Sequence, residues 1–190
     1  MRRTLIVVTA MILGVVSASG PAVAQQRARG IPDRVMLQPE DIGGAVLGPV
    51  EDGQAWPLLP QPCADTPVPQ PIVSRSQAAD LSTRFRVYEN VARYRGDRAR
   101  AYVNELKAQL ARCGAGGADN GFRTVAEDHL GPDTVLFLGQ YDEGDRYVGY
   151  VAAAVGHYVV VVMMSDSYLG AADLTKVNDV AGAAMRRAGA

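Results

Sequence analysis

The segment 146–164 constrains the fold most. Two extended runs, 146–155 and 158–164, are separated by Gly156-His157, a two-residue loop with glycine first, as in a type II′ hairpin. Counting outward from this turn pairs Ala153 with Val160 and Val151 with Val162 on one face. Ala154 meets Val159 and Ala152 meets Val161 on the other. Small residues lie opposite large ones, and both faces are apolar. An antiparallel sheet open to water on one side alternates apolar and polar residues, so this hairpin needs cover on both sides. Either helices cover one face and the proline-rich segment 49–72 the other, or part of one face lines a pocket or a dimer contact.

The remaining elements follow from periodicity. Residues 83–94 read as a strand with Phe85, Val87 and Val91 on one parity. Glu89 shares that parity, which calls for a bulge or for a function of its carboxylate. Gly96-Asp97 opens a helix to Cys113, with Asp97 a suitable N-cap. Its stripe is Tyr102, Leu106 and Leu110, with Ala99 and Val103 beside them, and Cys113 continues it. Gly114 to Gly117 end it.

Strands are expected at 122–126 and 134–141, and Asp142-Glu143-Gly144-Asp145 turns the chain into the hairpin. A final helix at about 171–187 carries Leu174, Val177, Ala181, Ala184 and Met185 on its apolar stripe. Pro39-Glu40-Asp41 suits the first turn of a short helix, which Gly43-Gly44 limits. The prolines of 49–72 bar that segment from a sheet interior. It is expected to wrap the surface, held by Trp56 and Cys63. The expected class is therefore α+β: a twisted antiparallel sheet of about five strands packed against two main helices.

Arg2 and Arg3 precede an apolar run of about 12 residues, well short of the roughly 20 that span a bilayer. Pro21-Ala22-Val23-Ala24 then supplies small residues at cleavage positions. Residues 1–24 read as a signal peptide, 25–34 as a flexible N-terminal segment, and 35–188 as one domain. The expected location is secreted, with no integral membrane segment after cleavage. Removing 24 residues from 190 leaves 166, and Lys+Arg falls from 19 to 17 against 20 Asp+Glu, a formal charge of −3. That balance gives no bulk attraction to nucleic acid. In an exported chain the only two cysteines, Cys63 and Cys113, read as a disulfide. They lack the spacing of a metal site.

Arg84, Arg86, Arg93, Arg95, Arg98 and Arg100 cluster around Tyr88 and Tyr94. Guanidinium groups beside aromatic rings suit phosphate, carboxylate or sugar-acid recognition; the same run also fits a solvated face. The candidate ligand-binding residues are Arg86, Tyr88, Arg93 and Tyr94. Ser165-Asp166-Ser167 lacks a nucleophile elbow, and His129 and His157 fall in a loop and a turn. Asp142, Glu143 and Asp145 fit an acidic turn better than a cation site. Gly114 to Gly117 follow a helix and so do not form a phosphate loop. No catalytic residue, metal or cofactor is expected.

Met36-Leu37-x-Pro39-Glu40-Asp41-Ile42, then Pro62-Cys63, a helix closed by Cys113, Gly131-Pro132-Asp133 before a strand, a hydrophobic hairpin and a final helix form a pattern. It resembles the PknH-like extracellular sensor domains of actinobacteria. The chain departs from that pattern in having a single cysteine pair, and Leu110-Ala111-Arg112 where those domains often place a Trp before the helix-end cysteine. The resemblance implies a twisted antiparallel sheet backed by helices, with a ligand groove and no catalytic residues. The expected function is a secreted, non-enzymatic, sensor-like binding domain for a small or cell-envelope ligand. The alternatives are a secreted hydrolase and a homodimeric interaction protein.

Overall fold

The structure, a computed structural model, describes residues 30–51, 57–63, 65–113, 121–141, 146–166 and 172–190. The leader, Trp56, the glycine run 114–117, the acidic turn 142–145 and Ser167 lie outside them. Six strands form one antiparallel sheet: β1 (Val73–Asp80), β2 (Phe85–Arg93), β3 (Phe122–Glu127), β4 (Thr134–Tyr141), β5 (Arg146–Val155) and β6 (Tyr158–Asp166). Their spatial order is β1-β2-β6-β5-β4-β3. Helix α1 (Arg98–Cys113) carries the chain from β2 to the far edge, and a β3-β4-β5-β6 meander returns to pair with β2. Helix α2 (Leu174–Gly189) ends the chain.

The central hairpin has the register its turn dictates. Val151 faces Val162, Ala152 faces Val161, Ala153 faces Val160 and Ala154 faces Val159. Gly156 takes φ 57°, which glycine adopts without a Cβ clash. The cover on the two faces differs from the expected division, since each face receives one helix. Val135, Phe137, Tyr150, Val159, Val161 and Met163 point to one side and pack with Tyr102, Val103 and Leu106 of α1. Val151, Val160, Val162 and Met164 point to the other and pack with Val177, Ala181 and Ala184 of α2 and with Val35, Met36 and Leu37. Connectivity gives the reason. Helix α1 occupies one face on its way to β3, and the bond between its last residue and Cys63 places the proline-rich chain on that same face. Helix α2, leaving β6, takes the vacant face.

The proline-rich segment is pinned where it meets α1. Cys63 and Cys113 are bonded, with Cα atoms 5.7 Å apart and a sequence separation of 50; a loop of that length stabilises the fold by about 4 kcal/mol on the chain-entropy account. Gln109, fully buried, accepts from the Cys63 amide at 3.1 Å and donates to the Thr66 carbonyl at 2.8 Å. Tyr102 donates its hydroxyl to the Pro60 carbonyl at 2.9 Å. Gly48 exchanges two backbone hydrogen bonds of 2.9 Å with Ala78, which shields part of the β1 edge.

Strand β1 lies outside the elements expected from sequence. Val73-Ser74-Arg75-Ser76-Gln77-Ala78-Ala79-Asp80 has little β-propensity; its extended form rests on full pairing with β2, from Val73 opposite Arg93 to Asp80 opposite Arg86. The short helix at 39–42 is a single 3-10 turn, with Pro39 at its start and Gly43 closing it at φ 70°.

The start of helix α2 approaches the sheet closely over Gly149. The helix presents Ala181, Ala184 and Ala188, and β5 offers Gly149 beneath its start. A Cβ at Gly149 would stand 3.3 Å from Val177 Cγ1 and 3.4 Å from Ala172 Cβ. Gly149→Val is therefore expected to lift α2 and lower the unfolding free energy by about 1–3 kcal/mol, measured by urea denaturation. An unchanged midpoint would show that the helix has slack there.

Candidate functional site

The candidate residues from the arginine run are divided between the two faces of the sheet. Arg86 and Tyr88 come together on the α1 side, with the guanidinium 5.5 Å from the ring centroid. Arg86 also pairs with Glu51 at 3.3 Å and Asp80 at 3.7 Å. Arg93, seven residues along β2 and of opposite parity, points to the other face, roughly 23 Å away along the strand. Tyr94 is buried in the α1-side core, its ring 5.9 Å from that of Tyr102. Its hydroxyl has no hydrogen-bond partner among the described residues, and burial holds its pKa well above the ordinary tyrosine range. These four side chains do not converge. Elsewhere in the run, Arg84 grips the buried Asp166 at 2.6 Å and Arg100 pairs with Asp133 at 2.8 Å.

Ser165 and His157 sit eight residues apart at opposite ends of β6, roughly 26 Å from one another, so they form no nucleophile–base pair. The His157 ring is instead bonded to the Gly96 carbonyl at 3.0 Å, and the His129 ring to Asn178 at 2.9 Å. Asp65 lies within ligand distance of Cys63 and Cys113, but sulfurs joined to each other offer no thiolate to a metal.

What the chain does assemble is a cleft of about 420 Å³ at the α2-side corner of the sheet. Three distant segments build it: Asp41 and Ile42 of the 3-10 turn with Gly43 after it, Leu81 and Ser82 of the β1–β2 connection with Phe85 at the start of β2, and Lys176 and Val180 from α2. The local structure explains each placement. The Ser82 hydroxyl accepts from the Arg84 and Phe85 amides at 3.2 Å each, which shapes the turn and presents the Phe85 ring. Asp173 caps α2 by accepting from the Lys176 amide at 3.0 Å, which sets the helix start and aims Lys176 across the cleft.

Walls and charges have distinct roles. Ile42, Leu81, Phe85 and Val180 are apolar. The Lys176 ammonium lies 5.0 Å from the Phe85 ring centroid, and the Arg84 guanidinium lies 5.1 Å from the same centroid. Arg84 is committed to Asp166, and Asp41 is committed to Arg187 at 2.8 Å and to the Gln38 amide at 2.9 Å. Lys176 is the least committed charge in the cleft, with Asp173 at 3.8 Å. Sequence patterns pointed to the arginines and missed Lys176, Leu81 and Ile42. No short motif links those residues.

Glu89, singled out by its parity, is the second unusual group. Strand β2 has no bulge: it stays in register with β1 and β6 throughout, so Glu89 points into the α2-side core and is 1% exposed. Both carboxylate oxygens accept from the Leu37 amide at 3.1 Å, and one accepts from Gln77 Nε2 at 2.7 Å. Gln77 Nε2 also donates to the Leu37 carbonyl at 2.9 Å. The carboxyl thus fastens residues 31–43 to the sheet. No ion pair to Glu89 occurs among the described residues. Burial raises its pKa from 4.5 to about 7, against the pull of the Leu37 and Gln77 bonds.

Comparison with protein-family profiles and with curated protein sequences returns no match. Among the described residues no helix is long and apolar enough to cross a membrane.

A carboxyl whose pKa rises on folding favours the folded state below its unfolded value, and that gain is lost as pH climbs through the folded value. Glu89 is therefore expected to make the unfolding free energy fall by roughly 3 kcal/mol between about pH 4.5 and pH 8. Glu89→Gln, which keeps the acceptor and lacks the charge, is expected to remove this component and to be the more stable form at about pH 8. Chemical denaturation across pH reads both. An unaltered slope in the variant would assign the titration to another group.

Proposed function

We propose that this chain is an exported, non-enzymatic ligand-binding domain. Its cleft would take a small ligand with a compact apolar body and one anionic group. The observation that carries this reading is the cleft itself: an open space of about 420 Å³, walled by Ile42, Leu81, Phe85 and Val180, with Lys176 as its loosely paired charge. Concave sites with apolar walls and few polar groups are the usual form of small-molecule sites. The apolar walls would hold the ligand's body, and Lys176, steadied over Phe85, would meet the anion. Export is supported by the leader pattern of residues 1–24 and by the Cys63–Cys113 bond, which suits an oxidising compartment. A sensor-like role at the cell envelope agrees with the family resemblance carried by the 36–42 motif and the Cys113 helix.

The dye 1-anilinonaphthalene-8-sulfonate has the required chemistry. It is expected to bind the folded protein saturably in a fluorescence titration. Lys176→Met, which keeps the packing stem and removes the charge, is expected to weaken binding about tenfold. Absence of saturable binding, or equal affinity for the variant, would reject the cleft as the site.

A further inference from the structure

We infer that residues 31–43 form a proton-operated clasp: they lie closed over Glu89 while its carboxyl is protonated and loosen when it ionises, withdrawing one wall of the cleft.

The geometry makes the segment separable from the sheet. Strand β2 has its full ladder to β1 and β6, and none of those pairings runs through the segment. What the segment alone supplies to Glu89 is the Leu37 amide and a roof of Val35, Met36 and Leu37, each at most 2% exposed. Closed, the carboxyl faces an apolar layer. Lifted, it meets water on a strand that is otherwise unchanged.

The groups around Glu89 come from every neighbouring element. Strand β1 contributes the neutral Gln77, with Arg75 along the same strand. Arg75 is occupied by the Asp33 carboxylate. Strand β6 contributes Val162 as register partner. The segment contributes the like charge of Asp41. Helix α2 packs on this face through Val177, Val180, Ala181 and Ala184, and its Arg187 goes to Asp41 and Glu40. Among the described residues Arg75 acts on the carboxylate only at a distance and none forms an ion pair with it, and a buried charge without a direct partner ion is costly. The closed state therefore prefers the proton and the open state the anion. By linkage, raising pH through the gap between the two affinities favours opening. Asp41, Ile42 and Gly43 belong to the same segment, so the cleft wall moves with it. The consequence for a ligand rests on the binding reading above, whereas the clasp does not.

Amide hydrogen exchange on the full chain, corrected for the intrinsic pH dependence of exchange, tests the clasp without any ligand. Protection of the Leu37 amide is expected to fall roughly a hundredfold between about pH 5 and pH 7.5, and to lie below that of Val161 in the central hairpin. Glu89→Gln is expected to hold the Leu37 protection level across that range. Three results would overturn the inference: pH-independent protection at Leu37, protection equal to that of Val161 at every pH, or an unchanged fall in the variant. Loss of dye binding at every pH, with the Leu37 profile as expected, would remove the ligand and leave the clasp standing.

Discussion

A β-hairpin with no polar face is the constraint on which the rest of this structure depends. Val159 to Met164 are buried, as are Gly149 to Ala153 on the facing strand. At roughly 25 cal/mol per Å² of apolar surface, leaving either side wet would cost more than a domain's net stability. The chain must therefore form three layers. Helix α1 and the proline-rich segment make one outer layer, and α2 with the N-terminal segment makes the other. The disulfide and Gln109 hold the first cover. Glu89, Gln77 and Arg187 hold the second.

The two covers are built from different chemistry, and the difference has consequences. The α1 side is closed by a covalent bond and by the neutral amide of Gln109, neither of which responds to pH in the physiological range. The α2 side is closed by a titratable carboxyl group inside the core and by surface ion pairs. Exposed ion pairs contribute little and are screened by salt, so the buried carboxyl group is the polar group with the most influence on that cover. The cleft opens on this less firmly held side, where the N-terminal segment, the β1–β2 turn and α2 meet.

Much of the scaffold was legible in the sequence, because the signals were local. The Gly156-His157 turn set the hairpin register residue by residue, and the i, i+4 recurrence of Tyr102, Leu106 and Leu110 marked the face of α1 that is buried. Glu89 stood out as a charge on an apolar parity. Strand β1 was illegible because its sequence is polar and its conformation is imposed by pairing across the sheet. Which cover lay on which face was equally hidden, since connectivity decides it. The arginine run suggested a site, yet strand alternation sends Arg86 and Arg93 to opposite faces. The cleft residues Ile42, Leu81 and Lys176 lie far apart in the chain and are joined only by the fold.

The central claim is that a carboxyl group sits inside the sheet, beneath a detachable segment, with a proton affinity set by burial. The direct measurement is the titration of the Glu89 side-chain carboxyl carbon by NMR in the folded protein. The account requires a midpoint near the value of about 7 that burial imposes. A midpoint close to the ordinary 4.5 would mean that the carboxylate is solvated or paired, and the account of the second cover would fail.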